Sequence, residues 1–301
     1  VSNYSGQGPK PTLMQDPLSS LQPISTTMPA RTSVLSYRSS LDVSRELAQA
    51  VARLLSAHRV RVGTRRGRRA LGCFAQAVLL LRFMRQRAAV ADLARDNAVS
   101  LKTAYRYLHE ALDVLAAEAP ELPEVVAKAV TRRTEHLLLD GTLIESDRVH
   151  DPGGQKDRWY SGKHRHHGGL VQVVTDPDGR PLWVSPVEPG STHDLTAARV
   201  HALPALYRAS RNGVPTLADK AYTGAGVGIR VPIRRPRGRQ VLDAPTQGWN
   251  SYVNSARVFV EHGIAHLKSR WRALQRVSLC PWRISVIVAT ALVLSQIENR
   301  Y

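Results

Sequence analysis

TEHLLLDGT, residues 134–142, is the stretch on which the fold turns. Three consecutive leucines after a short polar start are too few for a buried helix and suit a strand inside a sheet. The run stops at Asp140, with Gly141 and Thr142 behind it. A carboxylate closing a core strand is unfavourable unless a charge partner compensates it, so Asp140 is expected to serve chemistry rather than stability.

Downstream, residues 170–175 and 182–187 alternate as two strands around the turn Asp176-Pro177-Asp178-Gly179, a β-hairpin. Residues 191–203 read as a helix capped by Ser191 or Thr192, and VPTLA at 214–218 is a short strand running into Asp219. Residues 255–273 form a long helix. On it Val260, Ile264, Leu267 and Trp271 make an apolar stripe, and Arg257, Glu261, Lys268 and Arg272 run along the neighbouring face. Two strand-terminal aspartates and a glutamate among basic residues suggest a carboxylate cluster. Hard divalent ions take oxygen ligands, and two such ions roughly 3.5–4 Å apart can activate a water or a 3′-hydroxyl for attack on a phosphodiester.

Upstream the pattern is helical. Apolar residues recur at helical spacing over 41–58 and 70–84, and VADLARDNAVSLKTAYRYLHEALDVL spans 90–115. A short helix to Asp96, a turn at Asn97-Ala98 and a second helix capped by Ser100 make a helix-turn-helix. In that geometry Lys102, Thr103 and Arg106 face DNA, while Leu101, Ala104 and Leu108 pack inward. Residues 116–127 (AAEAPELPEVVA), with two prolines, read as the boundary between the helical part and the rest.

Composition narrows the partner. The 301 residues carry 42 Lys+Arg against 24 Asp+Glu, a formal net charge of +18, and the hydrophobic share of 43% is that of a folded protein. Cys73 and Cys280, far apart, exclude a disulfide scaffold and a zinc ribbon. The apolar runs at 70–81 and 286–297 are short of the roughly 20 residues of a membrane helix. Between Leu47 and Ala91 there is no acidic residue but there are ten arginines, Arg65 and Arg66 among them; a second acid-free run, 230–240, includes Arg234 and Arg235. Arginine pairs with phosphate bidentately, so a nucleic acid is the expected partner. Residues 1–27 hold two charges among Ser, Pro, Gln and Thr and read as a disordered leader.

The whole stretch 135–276 resembles the DDE transposases of the bacterial insertion-sequence IS5 group and the related Harbinger-type DDE endonucleases. The motifs are LLLDGT around Asp140, YSGKHRHHGGLVQVV at 160–174, PGSTHD at 189–194, LADKAYTG at 217–224 and RVFVEHGIAHLKSRWRAL at 257–274. The resemblance implies an α/β fold, with an RNase H-like catalytic core (a mixed sheet flanked by helices) preceded by an all-α helix-turn-helix domain. The expected segments are a leader at 1–30, the helix-turn-helix domain at 31–118, a linker at 119–130 and the catalytic domain at 131–301. It implies metal-dependent cleavage and strand transfer with two Mg²⁺ or Mn²⁺ ions held by Asp140, Asp219 and Glu261. The partner is double-stranded DNA, as transposon ends and as target, bound by a homo-oligomer (a dimer). No membrane is involved, and the location is the bacterial cytoplasm, at the nucleoid.

Asp219 lies 42 residues before Glu261, which suits the family's compact second spacing better than the 67 residues from Asp194. Asp194 stays open between metal ligand, substrate-positioning group and helix cap. Lys268 resembles the family's basic position after the Glu and is expected on phosphate, with Lys163 and Arg257 also facing DNA. His262 stands where many relatives carry Arg. Two other functions remain: an inactive or domesticated DNA-binding regulator, and a metal nuclease without strand transfer. His164, His166 and His167, with no HExxH and no cysteine pair, read as a polar DNA-facing loop rather than a zinc site. Trp249, placed in the loop before the Glu helix, is a candidate for stacking on a distorted base.

Overall fold

The computed structural model describes residues 40–65, 67–148, 157–235, 238 and 241–299. The leader at 1–30 and Arg66, together with Arg237 and Arg239 of the second basic run, lie outside the described residues.

Five helices come first: α1 (Arg45–Arg61), α2 (Cys73–Gln86), α3 (Val90–Asp96), α4 (Leu101–Ala116) and α5 (Leu122–Thr131). The hydroxyl of Ser44 accepts the Leu47 N–H at 3.0 Å, and that of Ser100 accepts the Thr103 N–H at 3.2 Å, so both helix starts satisfy a donor the helix leaves open. The turn between α3 and α4 puts Ala98 at φ 51°, the left-handed region usually left to glycine. On α4, Ala104, Tyr107, Leu108, Ala111 and Leu112 are buried. Leu101 extends that stripe one turn outward, past its buried part, and is 49% exposed rather than packed inward.

The sheet follows, with β1 (Leu137–Glu145), β2 (Tyr160–Ser161), β3 (His166–Thr175), β4 (Pro181–Val184) and β5 (Glu188–Pro189). Next come α6 (Asp194–His201), α7 (Leu203–Arg211), β6 (Thr216–Ala218) and β7 (Ile229–Arg230), and then α8 (Ala244–Arg270) and α9 (Ile284–Glu298). β1 pairs antiparallel with β3 and parallel with β6, which pairs parallel with β7; β2, β5 and β4 line the far edge of β3. This is a mixed sheet flanked by helices, consistent with the RNase H-like core expected.

Several boundaries move. Asp140 is the fourth of nine strand residues rather than the last, because β3 pairs with β1 through Gly141, Thr142 and Leu143. His166 and His167 belong to β3 instead of a loop, and His167 Nε2 lies 2.7 Å from Asp157. The helix expected at 191–203 is split at Ala202 into α6 and α7. α8 starts at Ala244, so Trp249 is helical rather than in a loop.

One face of the sheet packs on α5, α6 and α7 through Leu137, Leu139 and Val174. The other carries α8 and α9, and the same core continues into α1, α2 and α4. Thr290 of α9 donates to the buried Leu112 carbonyl of α4 at 3.1 Å, and Arg85 of α2 donates to the Arg270 carbonyl at 3.1 Å. Residues 119–130, read above as a linker, include most of α5, whose Leu122, Val125 and Val126 are buried. Among the described residues no helix is long and apolar enough to cross a membrane.

Candidate active site

The parallel pairing of β1 and β6 sets the first two carboxylates side by side. Leu139 is opposite Ala218, so Asp140 and Asp219 follow at the same level. Asp219 then caps a short 3₁₀ turn, its carboxylate accepting the Lys220 N–H. Side chains alternate along a strand, so Asp140 shares a face of β1 with Leu138, Thr142 and Ile144, the face covered by α8. Val253, Val260, Ile264 and Leu267 seat α8 on the core and leave Arg257 and Glu261 at the margin.

Arg257 joins the carboxylates. Its Nη1 is 3.5 Å from Asp219 Oδ1 and its Nη2 is 2.9 Å from Glu261 Oε1. Its side chain is 23% exposed, and its buried Nε has no partner. Burial pushes the Asp140 carboxyl up to about 6; the Gly141 N–H (2.8 Å) and Arg257 oppose this, while Asp194 and Asp219 add to it. Lys268 is tucked under the site and donates to Thr142 Oγ1 at 2.8 Å and to the Leu143 carbonyl at 2.9 Å. Burial holds its ammonium below the usual lysine range, against the pull of Glu145 and Asp140.

Asp194 occupies the other face of β1. A Cβ on Gly141 would stand 2.2 Å from Asp194 Oδ1 and 2.9 Å from Gln172 Nε2, so any larger residue there would have to displace both side chains. Asp194 Oδ2 pairs with Lys163 at 2.9 Å. Beneath lies a buried pair that the sequence did not single out: Tyr222 donates to Gln172 Oε1 at 2.7 Å. Burial, then the charges of Asp194, Asp140 and Asp219, hold this phenol well above its ordinary range. Tyr222 sits in the ADKAY motif, but Gln172 is a polar residue inside the apolar run 170–174 of β3, and its place opposite Gly141 comes from the register of β3 against β1.

Other expected contacts are dispersed. Lys102 and Arg106 are exposed on the first half of α4, while Thr103 is half-buried and its hydroxyl accepts from Ser100 at 2.9 Å. Arg65, Arg234 and Arg235 are exposed. Within the first arginine run several side chains are engaged internally: Arg59 with Gln76, Arg69 with Glu110, Arg82 with Asp96 and Arg85 with Asp42.

Among the described residues no three of His, Cys, Asp and Glu stand close enough together to hold a metal ion. Asp219 and Glu261 meet through a guanidinium instead. The chemistry of the donors still fits a hard divalent cation: all are carboxylate oxygens, and the most buried of them, Asp140, is raised by burial and by its neighbours' charge. A cation relieves such a cluster.

No curated protein and no solved structure matches the chain. Residues 139–296 match the family model for DDE superfamily endonucleases.

Proposed function

The chain belongs to the DDE superfamily endonucleases, and from that premise we propose that it is a DNA transposase of the insertion-sequence IS5 group. It binds the terminal inverted repeats of its element, cuts the DNA at the ends and joins the freed 3′-hydroxyl to target DNA. The observation that carries this is the convergence of Asp219 and Glu261 on Arg257, with Asp140 beside Asp219 on the adjoining strand.

DDE superfamily nucleases use divalent metals. Asp140, Asp219 and Glu261 are the residues that would hold two Mg²⁺ or Mn²⁺ ions, which when bound activate the attacking oxygen and stabilise the leaving one. The chain's own residues do the rest. Asp140 sits on a rigid central strand, whereas Glu261, 53% exposed, is the most accessible of the three. Arg257 holds the carboxylates while they are otherwise uncompensated and turns to the DNA phosphate as it arrives. Lys268 keeps one proton beyond the two it gives to β1, directed at the backbone of the cut strand. Asp194 fixes Lys163 at the opposite margin. Lys102, Thr103 and Arg106 of the helix-turn-helix, with Arg65, Arg66, Arg234 and Arg235, hold further phosphates, and a dimer brings two ends together.

The test is a cleavage and joining assay on DNA bearing the element's ends, with and without Mg²⁺. Asp140→Ala, Asp219→Ala and Glu261→Ala are expected to abolish cutting and leave binding intact; wild-type cutting by any of them overturns the assignment. Nicks without joined products would make the protein a metal nuclease, and binding without nicks a regulator.

A further inference from the structure

The segment leaving β7 passes beside the carboxylates. β7 runs parallel to β6 with Arg230 opposite Leu217, so Val231 and Pro232 carry the chain on to the level of Asp219. This segment is fastened to the start of α8. Asn250 Oδ1 accepts the Ile233 N–H at 2.7 Å, and its amide donates to the Ile233 carbonyl at 2.9 Å. One residue earlier, the Trp249 ring lies 5.8 Å from the Arg230 guanidinium and 5.9 Å from the Tyr252 ring, and the Tyr252 hydroxyl donates to Glu135 at 3.1 Å.

One side chain thus satisfies both backbone polar groups of Ile233, as a paired strand would. Pro232 before it is buried, yet the Ile233 side chain is 50% exposed, with the exposed Arg234 and Arg235 directly behind it. Burying an isoleucine stabilises a fold, and here much of that gain is forgone at a position whose backbone is held on both sides. Single exposed apolar residues are common on protein surfaces. What distinguishes this one is the two-bond anchor on its own backbone and the arginines next to it.

We propose that Ile233 is a wedge that enters the minor groove of the bound duplex and unstacks one base step. Arg234 and Arg235 take the flanking phosphates, and Asn250 and Trp249 are positioning residues that hold the wedge upright. Apolar side chains set among basic residues kink DNA in this way by partly unstacking a base step. A backbone already ordered by Asn250 adds no further ordering cost on binding. From Asn250 to Glu261 is eleven residues of α8, about 16 Å at 1.5 Å per residue, which is about five base steps at 3.4 Å each. A duplex lying along α8 would then be kinked within half a helical turn of Glu261. This rests on the DNA-cutting function proposed above and adds a contact to it.

The test uses the full chain at saturation on a mixed-sequence duplex of about 30 base pairs, with donor and acceptor fluorophores at its two ends. Wild type is expected to shorten the end-to-end distance by a bend of roughly 20–90°. Ile233→Ala is expected to leave the duplex straight at full occupancy, and Asn250→Ala to give a smaller bend. Replacing Arg234 and Arg235 together by Ala should lower the slope of log affinity against log salt by about 2. Equal bending by wild type and Ile233→Ala overturns the wedge. So does a wild type that binds and cuts DNA but leaves it straight. A wild type that neither binds nor cuts DNA overturns the function itself.

Discussion

Gly263 of α8 touches Gly179 of the β3–β4 turn backbone to backbone. A Cβ on Gly263 would stand 1.8 Å from the Gly179 carbonyl oxygen, and one on Gly179 would stand 2.1 Å from the Phe259 carbonyl oxygen. Gly179 lies at φ +81° and closes its turn by donating to the Asp176 carbonyl at 3.0 Å. Glu261 lies on α8 between Phe259 and Gly263, so the distance that sets the hairpin against the helix also sets the height of that carboxylate.

Gly263→Ala is therefore expected to push α8 away from the hairpin. Forcing one extra carbon into a closed backbone contact costs about 1–3 kcal/mol. A shift of about 1 Å at a catalytic group costs on the order of 100-fold in rate. Urea denaturation should show a lower midpoint with an unchanged slope, and end cleavage by the same preparation should fall by about two orders of magnitude. A variant as stable and as active as wild type would show that the contact is slack.

Asp140 makes the metal-free protein less stable as pH rises. Its carboxyl is held up to about 6 in the fold, against an ordinary value of 3.8. Between those values the unfolded chain has released its proton and the folded chain has kept it. Stability is thus full below about pH 4, falls as pH rises and has lost its share above about pH 6. At about 1.4 kcal/mol per pH unit the loss is at most about 3 kcal/mol. Asp140→Asn removes the titration. Its melting temperature is expected to exceed that of wild type near pH 7, and the two should converge below about pH 4. Adding Mg²⁺ should raise the wild-type value more than the variant's.

The sheet's leading strand and the helix cap were legible because local signals decide them. A triple leucine bounded by polar residues makes β1, and Ser100 caps α4 with its own hydroxyl. The extent of β1 was not legible. Asp-Gly-Thr has the composition of a turn, and the antiparallel partner supplied by Val173, Gln172 and Val171 turns it into strand. The start of α8 was missed although Asp243 and Pro245 mark it, because the apolar stripe begins only at Val253. The carboxylates announced themselves by residue type and by motif. Gln172, bonded to Tyr222 fifty residues on, and Asn250, bonded to Ile233, depend on long-range packing, and no local pattern distinguishes them.

Ala98 carries the turn between α3 and α4 at φ 51°. An L-residue there costs about 1–2 kcal/mol relative to its relaxed conformation, a cost that glycine escapes, although glycine's greater freedom in the unfolded chain takes back part of the gain. Ala98→Gly is expected to raise stability by about 0.5–1 kcal/mol. It should also leave the exposure of Lys102 and Arg106 unchanged. Thermal unfolding measures the first and salt-dependent DNA affinity the second. A lower melting temperature would mean that the turn gains nothing from relaxed backbone strain.

Arg257 is the cation of the metal-free site, and its removal should be read without DNA. Arg257→Gln leaves Asp219 and Glu261 without the guanidinium that lies 3.5 and 2.9 Å from them, and takes from Asp140 the charge that pulls its carboxyl down. The Asp140 carboxyl then rises further, so the variant loses stability mainly near and above neutral pH, where that buried group is pressed to ionise. The pairs are partly exposed, so about 1–2 kcal/mol is expected, between the values for surface and buried ion pairs. As pH falls through the carboxylate range the difference from wild type should close. Arg257→Lys restores one point charge but not the two-pronged bridge, and should fall between them. Mg²⁺ should stabilise the Gln variant more than wild type, because no guanidinium has to be displaced from the carboxylates first. Melting curves of the three proteins across pH, with and without Mg²⁺, decide it; coincident curves for wild type and Arg257→Gln in the absence of metal would show that the guanidinium compensates nothing.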